Sequence, residues 1–425
     1  MKHKKLFITL TAVFSVFISL CIFITIWFWG DSYNGNAEFD GFGDFRKEFK
    51  IPGVEDGACP QGMGNYKATY TVTDENGNPK LDAEGKEITD TQEYFFISAY
   101  FNGAPSRIYV VGETTGLVGY VTLKNTDGSD FYGHAGGVAT NGYTLWVVSD
   151  ETVYVAKNKM QPKDNIAYDI IKSAENNGEL KFTATFAANC RASFCYFYNA
   201  DGDSTNSSYY EDRFYIGEFY RGGNYETDKK HRLTTKSGDK NTAFVYEYRI
   251  SVSNDDYGLE TLSSTDVSPQ TRVPRIQNIY SITDEIQGFA RTKSGLVLSQ
   301  SYGLKNSVLY YYDWDAITKT ENRTRYVDLK YTNEEGKEIS YGGFEYADAV
   351  MNNAGGAPYK DTSLYVYYID NEKMLNKYSI PSMSEGLCLK GNRVYVLFES
   401  AAKKYRPFVR QELKNVYSFI PRTKS

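Results

Sequence analysis

The sequence predicts an all-β fold: a single β-propeller of five four-stranded blades, with six blades as the alternative. Three observations support this prediction. Tyrosine and phenylalanine number 38 and 25 among 425 residues, and aromatic residues favour strands. Asn141-Gly142, between a strand of small residues and the apolar run over residues 145–148, indicates a tight hairpin. A similar pattern of strands recurs along the chain, as expected of a propeller.

The N-terminus is predicted to be a membrane anchor. Basic residues at positions 2–5 precede an uncharged run over residues 6–29, and about 20 apolar residues span a bilayer as a helix. Because positive residues stay in the cytoplasm, we expect a cytoplasmic tip at residues 1–5, a transmembrane signal-anchor helix at residues 6–29 and an extracytoplasmic body held at the plasma membrane. The alternative is a cleaved signal peptide and a secreted body.

The remaining chain is predicted to be one linker and one domain. Residues 30–43 are rich in Gly, Asn and Asp, which is typical of a linker. The propeller ectodomain is predicted over residues 44–421. Each copy of its repeat has an outer strand, a spacer, a pair of small or polar residues and two further strands. The pairs are residues 61–62, 136–137, 192–193, 287–288 and 385–386.

The repeat indicates where the innermost strands lie and how the ring closes. Small residues suit an inner strand, because backbones approach one another closely there. The fifth copy supplies only three strands, so the strand over residues 45–51 is predicted to complete it and to remove an open sheet edge. The pairs lie farther apart than the roughly 40–45 residues of a compact blade. Predicted insertions, namely a helix over residues 164–174 and several loops, account for part of this extra spacing. The segment 326–368 could contain a sixth blade, which is the alternative to five.

Five polar residues at or beside the small pairs are predicted to line a central ligand-binding channel: Gln61, His134, Arg191, Gln287 and Glu385. His134 titrates near neutral pH, so it is a candidate base or ligand as well as a candidate structural histidine. Glu385 is the other catalytic candidate. With Arg191 it would form either an anion or sugar site or a structural ion pair.

Two further groups of residues are candidate sites. Asp201, Asp203 and Asp212 imitate part of a calcium loop, although Asn206 stands where an EF-hand has glycine, and a solvated turn is the alternative. Cys59, Cys190, Cys195 and Cys388 are candidates for disulfides, and free buried thiols are the other interpretation. No cofactor is predicted, with Ca²⁺ as the alternative.

Four motifs carry a resemblance to a known superfamily. They are PQGMGNY at residues 60–66, GHAGGVATNGYTLWVVSD at 133–150, EIQGFARTKSGLVLSQS at 285–301 and SEGLCLKGNRVYVLFES at 384–400. At these motifs the chain resembles the exported six-bladed propellers of the gluconolactonase/arylesterase and NHL types. The resemblance implies an axial calcium held by Glu, Asn and Asp side chains. Only Glu385 matches that chemistry among the inner-strand positions.

These observations favour a membrane-anchored binding module at the cell surface over an enzyme. Its expected partner is an extracellular ligand or protein at the channel mouth. The alternative is a calcium-dependent hydrolase of lactones, esters or glycosides that uses Glu385 and His134. The net charge of −6 argues against a nucleic acid partner, because phosphates require a basic surface.

Overall fold

The computed structural model describes residues 14–19, 21, 39, 44–72, 74–76, 78–158, 165–200, 211–251, 257–262, 273–332, 335–346 and 359–424. Its strands are, in chain order, β1 (Arg46–Lys50), β2 (Cys59–Thr71), β3 (Thr89–Tyr100), β4 (Arg107–Gly112), β5 (Gly116–Lys124), β6 (Gly137–Thr140), β7 (Thr144–Lys157), β8 (Glu179–Lys181), β9 (Ala184–Tyr198), β10 (Arg213–Glu218), β11 (Leu233–Thr234), β12 (Lys240–Asn241), β13 (Ala243–Arg249), β14 (Ile276–Ile282), β15 (Ile286–Arg291), β16 (Gly295–Gln300), β17 (Ser307–Asp313), β18 (Arg323–Arg325), β19 (Lys330–Thr332), β20 (Glu338–Ser340), β21 (Phe344–Glu345), β22 (Lys360–Asp361), β23 (Tyr365–Tyr368), β24 (Met374–Ile380), β25 (Ser384–Lys390), β26 (Arg393–Phe398) and β27 (Asn415–Phe419). The α-helices among these residues are α1 (Ile166–Ala174) and α2 (Trp314–Ile317), apart from the short helical stretch at 14–19 and 21. The predicted all-β class is confirmed.

Most strands belong to four sheets. Their strand orders are β2-β3-β4-β5-β8, β15-β16-β17-β24, β1-β27-β26-β25, and an eight-stranded sheet of order β18-β23-β14-β13-β10-β9-β7-β6. The first strand of the domain pairs with the last: Arg46 lies opposite Ser418 in an antiparallel ladder. This is the pairing of the two ends that the sequence predicts for the strand over residues 45–51.

The eight-stranded sheet contains two sets of strands joined through β9. Residues 184–187 and Ala192 of β9 pair with β7, with a register shift between these two stretches, and residues 192–198 also pair with β10 on the other edge. Between the two stretches Asn189 has a positive φ of 59°, a left-handed conformation that bends an otherwise extended strand. The sequence predicts a strand over residues 180–186. The structure instead has β8 and the longer, bent β9.

Five strands pack against one another in a closed order: β2, β6, β9, β15, β25 and again β2. Glycines make several of these contacts. A Cβ atom added to Gly62 would lie 2.5 Å from the Cα of Gly137, and one added to Gly386 would lie 2.6 Å from the backbone nitrogen of Met63. No L-side chain fits at such distances, which explains why small residues recur there.

The remaining contacts between these strands are equally close. A Cβ on Gly137 would lie 2.4 Å from the backbone nitrogen of Cys195, and one on Gly288 would lie 2.6 Å from the carbonyl of Glu385. Between β9 and β15, Ser193 Oγ donates to Gln287 Oε1 at 3.2 Å. These five strands are called the inner strands below.

The inserted segments lie at the outer edges of the sheets. Helix α1 begins at Asn165, whose side chain accepts hydrogen bonds from the backbone of Ala167 and Tyr168. It confirms the helix predicted over residues 164–174. The described part of the segment 326–368 forms short strands, and its longest, β23, adds to the edge of β14 in parallel, with Tyr367 opposite Tyr280. This segment therefore extends an existing sheet.

The predicted membrane-spanning helix over residues 6–29 is not found. Among the described residues no helix is both long and apolar enough to cross a membrane. Residues 14–19 and 21 are helical, and the rest of the run lies outside the described residues, as do residues 1–5, 30–38 and 40–43. The predictions of a membrane partner and of a single-pass location in the plasma membrane, with an extracytoplasmic body, are therefore wrong.

Candidate functional site

A cavity of about 500 Å³ lies beside the starts of the inner strands. Its lining combines polar, charged and aromatic side chains, and convergent polar groups of this kind fix the orientation of a small ligand. The lining comprises Gln61, His134, Gly136, Asp150, Arg191, Ala192, Ser193, Phe219, Arg221, Tyr225, Gln287, Ser301, Tyr302, Gly303, Leu304, Lys305, Met383, Glu385, Glu399 and Tyr405.

The structure brings all five predicted channel residues to this cavity, which Gln61, His134, Arg191, Gln287 and Glu385 line together. Four of them belong to the inner strands β2, β9, β15 and β25, and His134 lies just before β6. The small pairs cause this convergence, because they allow the inner strands to approach one another closely. Each polar residue belongs to one of these pairs or lies near it, so the approach of the strands brings the polar residues together.

A pair of glutamate side chains, Glu385 and Glu399, forms the most unusual feature of the cavity. Their exposed fractions are 3% and 9%, and both line the cavity. Gln61 Nε2 donates to Glu399 Oε2 at 3.0 Å. Two buried carboxyl groups that face the same cavity repel each other when both are ionised, which favours protonation of one of them.

Burial is the main cause of the shifted pKa values in this pair. It raises the pKa of Glu399 to about 7, against the lowering effects of Lys404 and of the hydrogen bonds from Glu385, Gln61 and Tyr405. Burial and the nearby Glu399 charge raise the pKa of Glu385 well above its usual range. Around neutral pH the pair therefore holds at least one proton.

Lys404 and two tyrosines stand beside the glutamate pair. The Lys404 ammonium lies 4.3 Å from the ring centroid of Tyr405 and 4.6 Å from that of Tyr100, and it donates to the Tyr100 hydroxyl. Cation–π contacts of this kind attract the ammonium group of this exposed lysine to the two rings. The positive charge of Lys404 favours the ionised form of Glu399.

His134 is held on the same side of the cavity. Its ring stacks on Tyr100 with centroids 4.3 Å apart, and its backbone nitrogen donates to Ser149 Oγ. Desolvation by the surrounding residues lowers the pKa of His134 to about 4, and the charges of Lys404 and Arg191 act in the same direction. The residue is nevertheless exposed, so solvent screens these charges, and the direction of the shift makes the imidazole a weaker base.

The cationic residues of the cavity are paired with other partners. Arg191 Nε lies 3.8 Å from Asp150 Oδ1, so its ion pair is with Asp150. Arg221 lies 3.3 Å from Glu285 Oε1 and 3.5 Å from the ring centroid of Tyr302. Arg191, Arg221 and Tyr302 thus bring guanidinium groups and an aromatic ring to the cavity lining.

The candidate calcium loop is only partly described. Asp201 and Asp203 lie outside the described residues. Asp212 is buried, and its Oδ1 accepts a hydrogen bond from the backbone of Ala200 at 2.9 Å. Within the described ranges no group of three or more His, Cys, Asp and Glu side chains could hold a metal ion.

The four candidate disulfide cysteines, Cys59, Cys190, Cys195 and Cys388, are free and buried. Desolvation raises the pKa of each thiol. Thiols in such surroundings stay protonated and unreactive, and they behave as small apolar side chains. The interpretation as core residues agrees with this arrangement.

Three residues of the site, Glu399, Lys404 and Tyr405, are not among those that the sequence predicts. Glu399 follows the apolar strand β26 directly, and a charged residue at the end of a buried strand is the signal that could have found it. Lys404 and Tyr405 follow in a loop with no repeat partner. Tyr405 lines the cavity and Lys404 lies beside it against Tyr100, and both positions depend on how that loop folds.

Comparison with known proteins gives no family for this chain. Neither known protein families nor curated proteins show a match. Among solved structures the chain is similar to a candidate 6-phosphogluconolactonase from Bacteroides uniformis, with 11% sequence identity and a TM-score of 0.22 over 71% of this chain and 87% of that one. A similarity at this level carries no argument about fold or activity.

Proposed function

We propose that residues 44–421 form one five-bladed β-propeller. The closed order of the five inner strands supports this architecture, as does the pairing of β1 with β27. In this interpretation the bend of β9 at Asn189 separates two blades that share one continuous strand. A ring of five sheets would place the inner-strand starts around one axis, with the cavity at its end.

We further propose that the protein binds a small polyhydroxylated ligand, such as a sugar or sugar acid, in this cavity. The observation that carries the proposal is the cavity lining, in which side chains from all five inner strands or their flanks converge. Amide, carboxyl and guanidinium groups match the hydroxyl groups of such a ligand. The rings of Phe219, Tyr302 and Tyr405 offer faces for its C–H groups.

The sequence predicts either a small ligand or a protein as the partner and does not choose between them. The cavity favours a small molecule. Its volume of about 500 Å³ falls within the range of roughly 300–1,000 Å³ that small-ligand sites occupy. A protein partner would need a much larger contact surface, roughly 800 Å² on each partner. The polar side chains of this lining suit hydrogen bonding to a ligand that carries many hydroxyl groups.

Isothermal titration calorimetry tests the proposal. We expect at least one ligand from a panel of neutral monosaccharides, oligosaccharides and sugar acids to bind, and Gln287→Ala to weaken that binding about tenfold through loss of a hydrogen bond. The matched control is Gln277→Ala, because Gln277 on β14 bonds to Glu260 and does not line the cavity. Absence of binding across the panel, or equal losses in both variants, would contradict the proposal.

A further inference from the structure

We propose that the ligand of this cavity is a uronic acid, a sugar that carries a carboxylate, and that Arg221 binds the carboxylate together with Arg191 and Lys305. This inference rests on the proposed function, because it names the class of sugar that the same cavity takes. All three cationic side chains line the cavity, although the net charge of the protein is −6. Cationic groups that converge on a cavity of an acidic protein indicate a negatively charged group on its ligand.

The three cations reach the cavity from different parts of the fold. Arg191 belongs to β9, Arg221 follows β10, and Lys305 lies between β16 and β17. The backbones of Arg221 and Tyr225 exchange two hydrogen bonds of 2.8 and 2.9 Å, which close a tight turn. The Arg191 guanidinium lies 5.0 Å from the ring centroid of Tyr225. This turn therefore links Arg191 and Arg221 in one cluster.

Aromatic rings fix the position of the Arg221 guanidinium. It lies 3.5 Å from the ring centroid of Tyr302, and its Nη1 donates to Glu285 Oε1 at 3.3 Å. The buried ring of Phe219 packs against Tyr302 and Tyr225, with centroid distances of 6.1 and 5.4 Å. A guanidinium held on a ring and bonded at one nitrogen is positioned before the ligand arrives, which lowers the entropic cost of binding.

The free edge of Arg221 suits a carboxylate. Its Nε and Nη2 have no hydrogen-bond acceptor among the described residues, since the bond to Glu285 uses Nη1. Two parallel N–H donors of a guanidinium match the two oxygens of a carboxylate in a bidentate pair. Lys305 is exposed and forms no ion pair within the described ranges, so its charge is also available to the ligand.

Two acidic side chains limit how much negative charge the cluster can hold. Asp150 Oδ1 lies 3.8 Å from Arg191 Nε, and Glu285 Oε1 lies 3.3 Å from Arg221 Nη1. They offset part of the positive charge of the cluster. A carboxylate carries a single negative charge, whereas a phosphate ester carries about 1.5–2. The cluster therefore favours a carboxylate over a phosphate.

Isothermal titration calorimetry with matched pairs of sugars tests the inference on the whole protein. The pairs are D-galacturonate with D-galactose and D-glucuronate with D-glucose, in which a carboxylate replaces a hydroxymethyl group. At least one uronate should bind about tenfold or more tightly than its neutral partner, because hydrogen bonds between charged groups are stronger than neutral ones. Raising the salt concentration from about 50 mM to about 500 mM should weaken uronate binding and leave neutral-sugar binding unchanged.

A conservative substitution tests the role of the guanidinium edge. Arg221→Lys keeps the positive charge and removes the two parallel donors, so the affinity for the uronate should fall about tenfold while that for the neutral sugar stays within about twofold of wild type. Lys305→Met should cause a smaller loss that disappears at high salt. The matched control is Arg323→Lys, because Arg323 stacks on the Tyr365 ring at 3.9 Å and does not line the cavity.

The outcomes separate this inference from the proposed function. Equal affinities for a uronate and its neutral partner, or binding of neutral sugars alone, would overturn the inference and leave the proposed function intact. Tighter binding of D-glucose 6-phosphate than of D-glucuronate would overturn the assignment of a carboxylate. Equal losses for the uronate and the neutral sugar in Arg221→Lys, or the same loss in Arg323→Lys, would also overturn it. If no sugar or sugar acid binds at all, the proposed function fails as well.

Discussion

Gly386 provides the sharpest test of how the inner strands pack. We expect Gly386→Ala to destabilise the protein, because the added methyl group would meet backbone atoms of β2: Met63 nitrogen at 2.6 Å, Gln61 oxygen at 3.0 Å and Gly62 carbon at 3.0 Å. Ordinary contacts between such atoms are about 3.5–4.0 Å. The obstructing atoms belong to the backbone, so they cannot rotate away as a flexible side chain would.

The magnitude follows from the displacement that the methyl group requires. Strand β2 would have to move by roughly 1 Å over several residues, and overpacking of a tight interior costs about 1–3 kcal/mol. Replacing glycine with alanine in a strand would otherwise gain roughly 0.5–1 kcal/mol. A net loss of about 1 kcal/mol in the free energy of unfolding is therefore expected, a measurable part of the roughly 5–15 kcal/mol typical of a domain.

Urea unfolding of the purified protein, followed by tryptophan fluorescence and circular dichroism, measures this loss. The matched control is Gly222→Ala, where the nearest atom to an added Cβ is the Tyr220 hydroxyl at 3.5 Å, an ordinary contact that should leave stability within about 0.5 kcal/mol of wild type. If Gly386→Ala unfolds at the wild-type urea concentration with an unchanged slope, the close packing of β25 on β2 is refuted.

Two further predictions concern stability. Asn165→Ala should reduce the free energy of unfolding by about 1 kcal/mol, because Asn165 caps α1 through Ala167 and donates to the Tyr66 hydroxyl at 2.7 Å; urea unfolding of variant and wild type would show it, and an unchanged midpoint would contradict it. The glutamate pair should make the protein less stable as pH rises. In the folded protein the pKa of Glu399 is about 7 and the pKa of Glu385 is also raised, whereas the ordinary glutamate value is 4.5. The protonated glutamates therefore contribute their full stabilisation below pH 4.5. This stabilisation is lost as pH rises through the folded-state pKa values. Urea unfolding at about pH 5 and about pH 8 should show this fall in stability, and the fall should be smaller in Glu399→Gln. An equal fall in the wild-type protein and the variant would contradict the assignment of this pH dependence to Glu399.

Much of the fold is predictable from the sequence because its cause is local. Gly62, Gly137 and Gly386 stand where backbones must approach closely, so their spacing along the chain is enough to identify the inner strands. The spacing also predicts that Gln61, Gln287 and Glu385 lie near one another, because each directly precedes a glycine at which two inner strands approach closely. The strand over residues 45–51 is recognisable as the missing partner of the last copy because that copy lacks one strand.

The parts that could not be predicted depend on distant contacts. Glu399 gains its importance only because the hairpin β25–β26 brings it beside Glu385 and because Gln61 reaches it from β2. The bend of β9 at Asn189 results from pairing with two different strands, β7 and β10, and a single continuous run of residues does not reveal it. The uncharged run over residues 6–29 shows the opposite failure, since a strong local pattern predicted a membrane span that the described residues do not contain.

The pairing of β1 with β27 has a consequence for how the chain is made. Ser418 bonds to Glu48, a partner 370 residues away in sequence, and bringing such distant ends together costs about 5 kcal/mol of loop-closure entropy. A ribosome that adds about 5–20 residues per second needs roughly 20–70 seconds to synthesise the chain between these partners. Throughout that interval β1 has no partner strand, so the last sheet can be completed only after β27 has been synthesised.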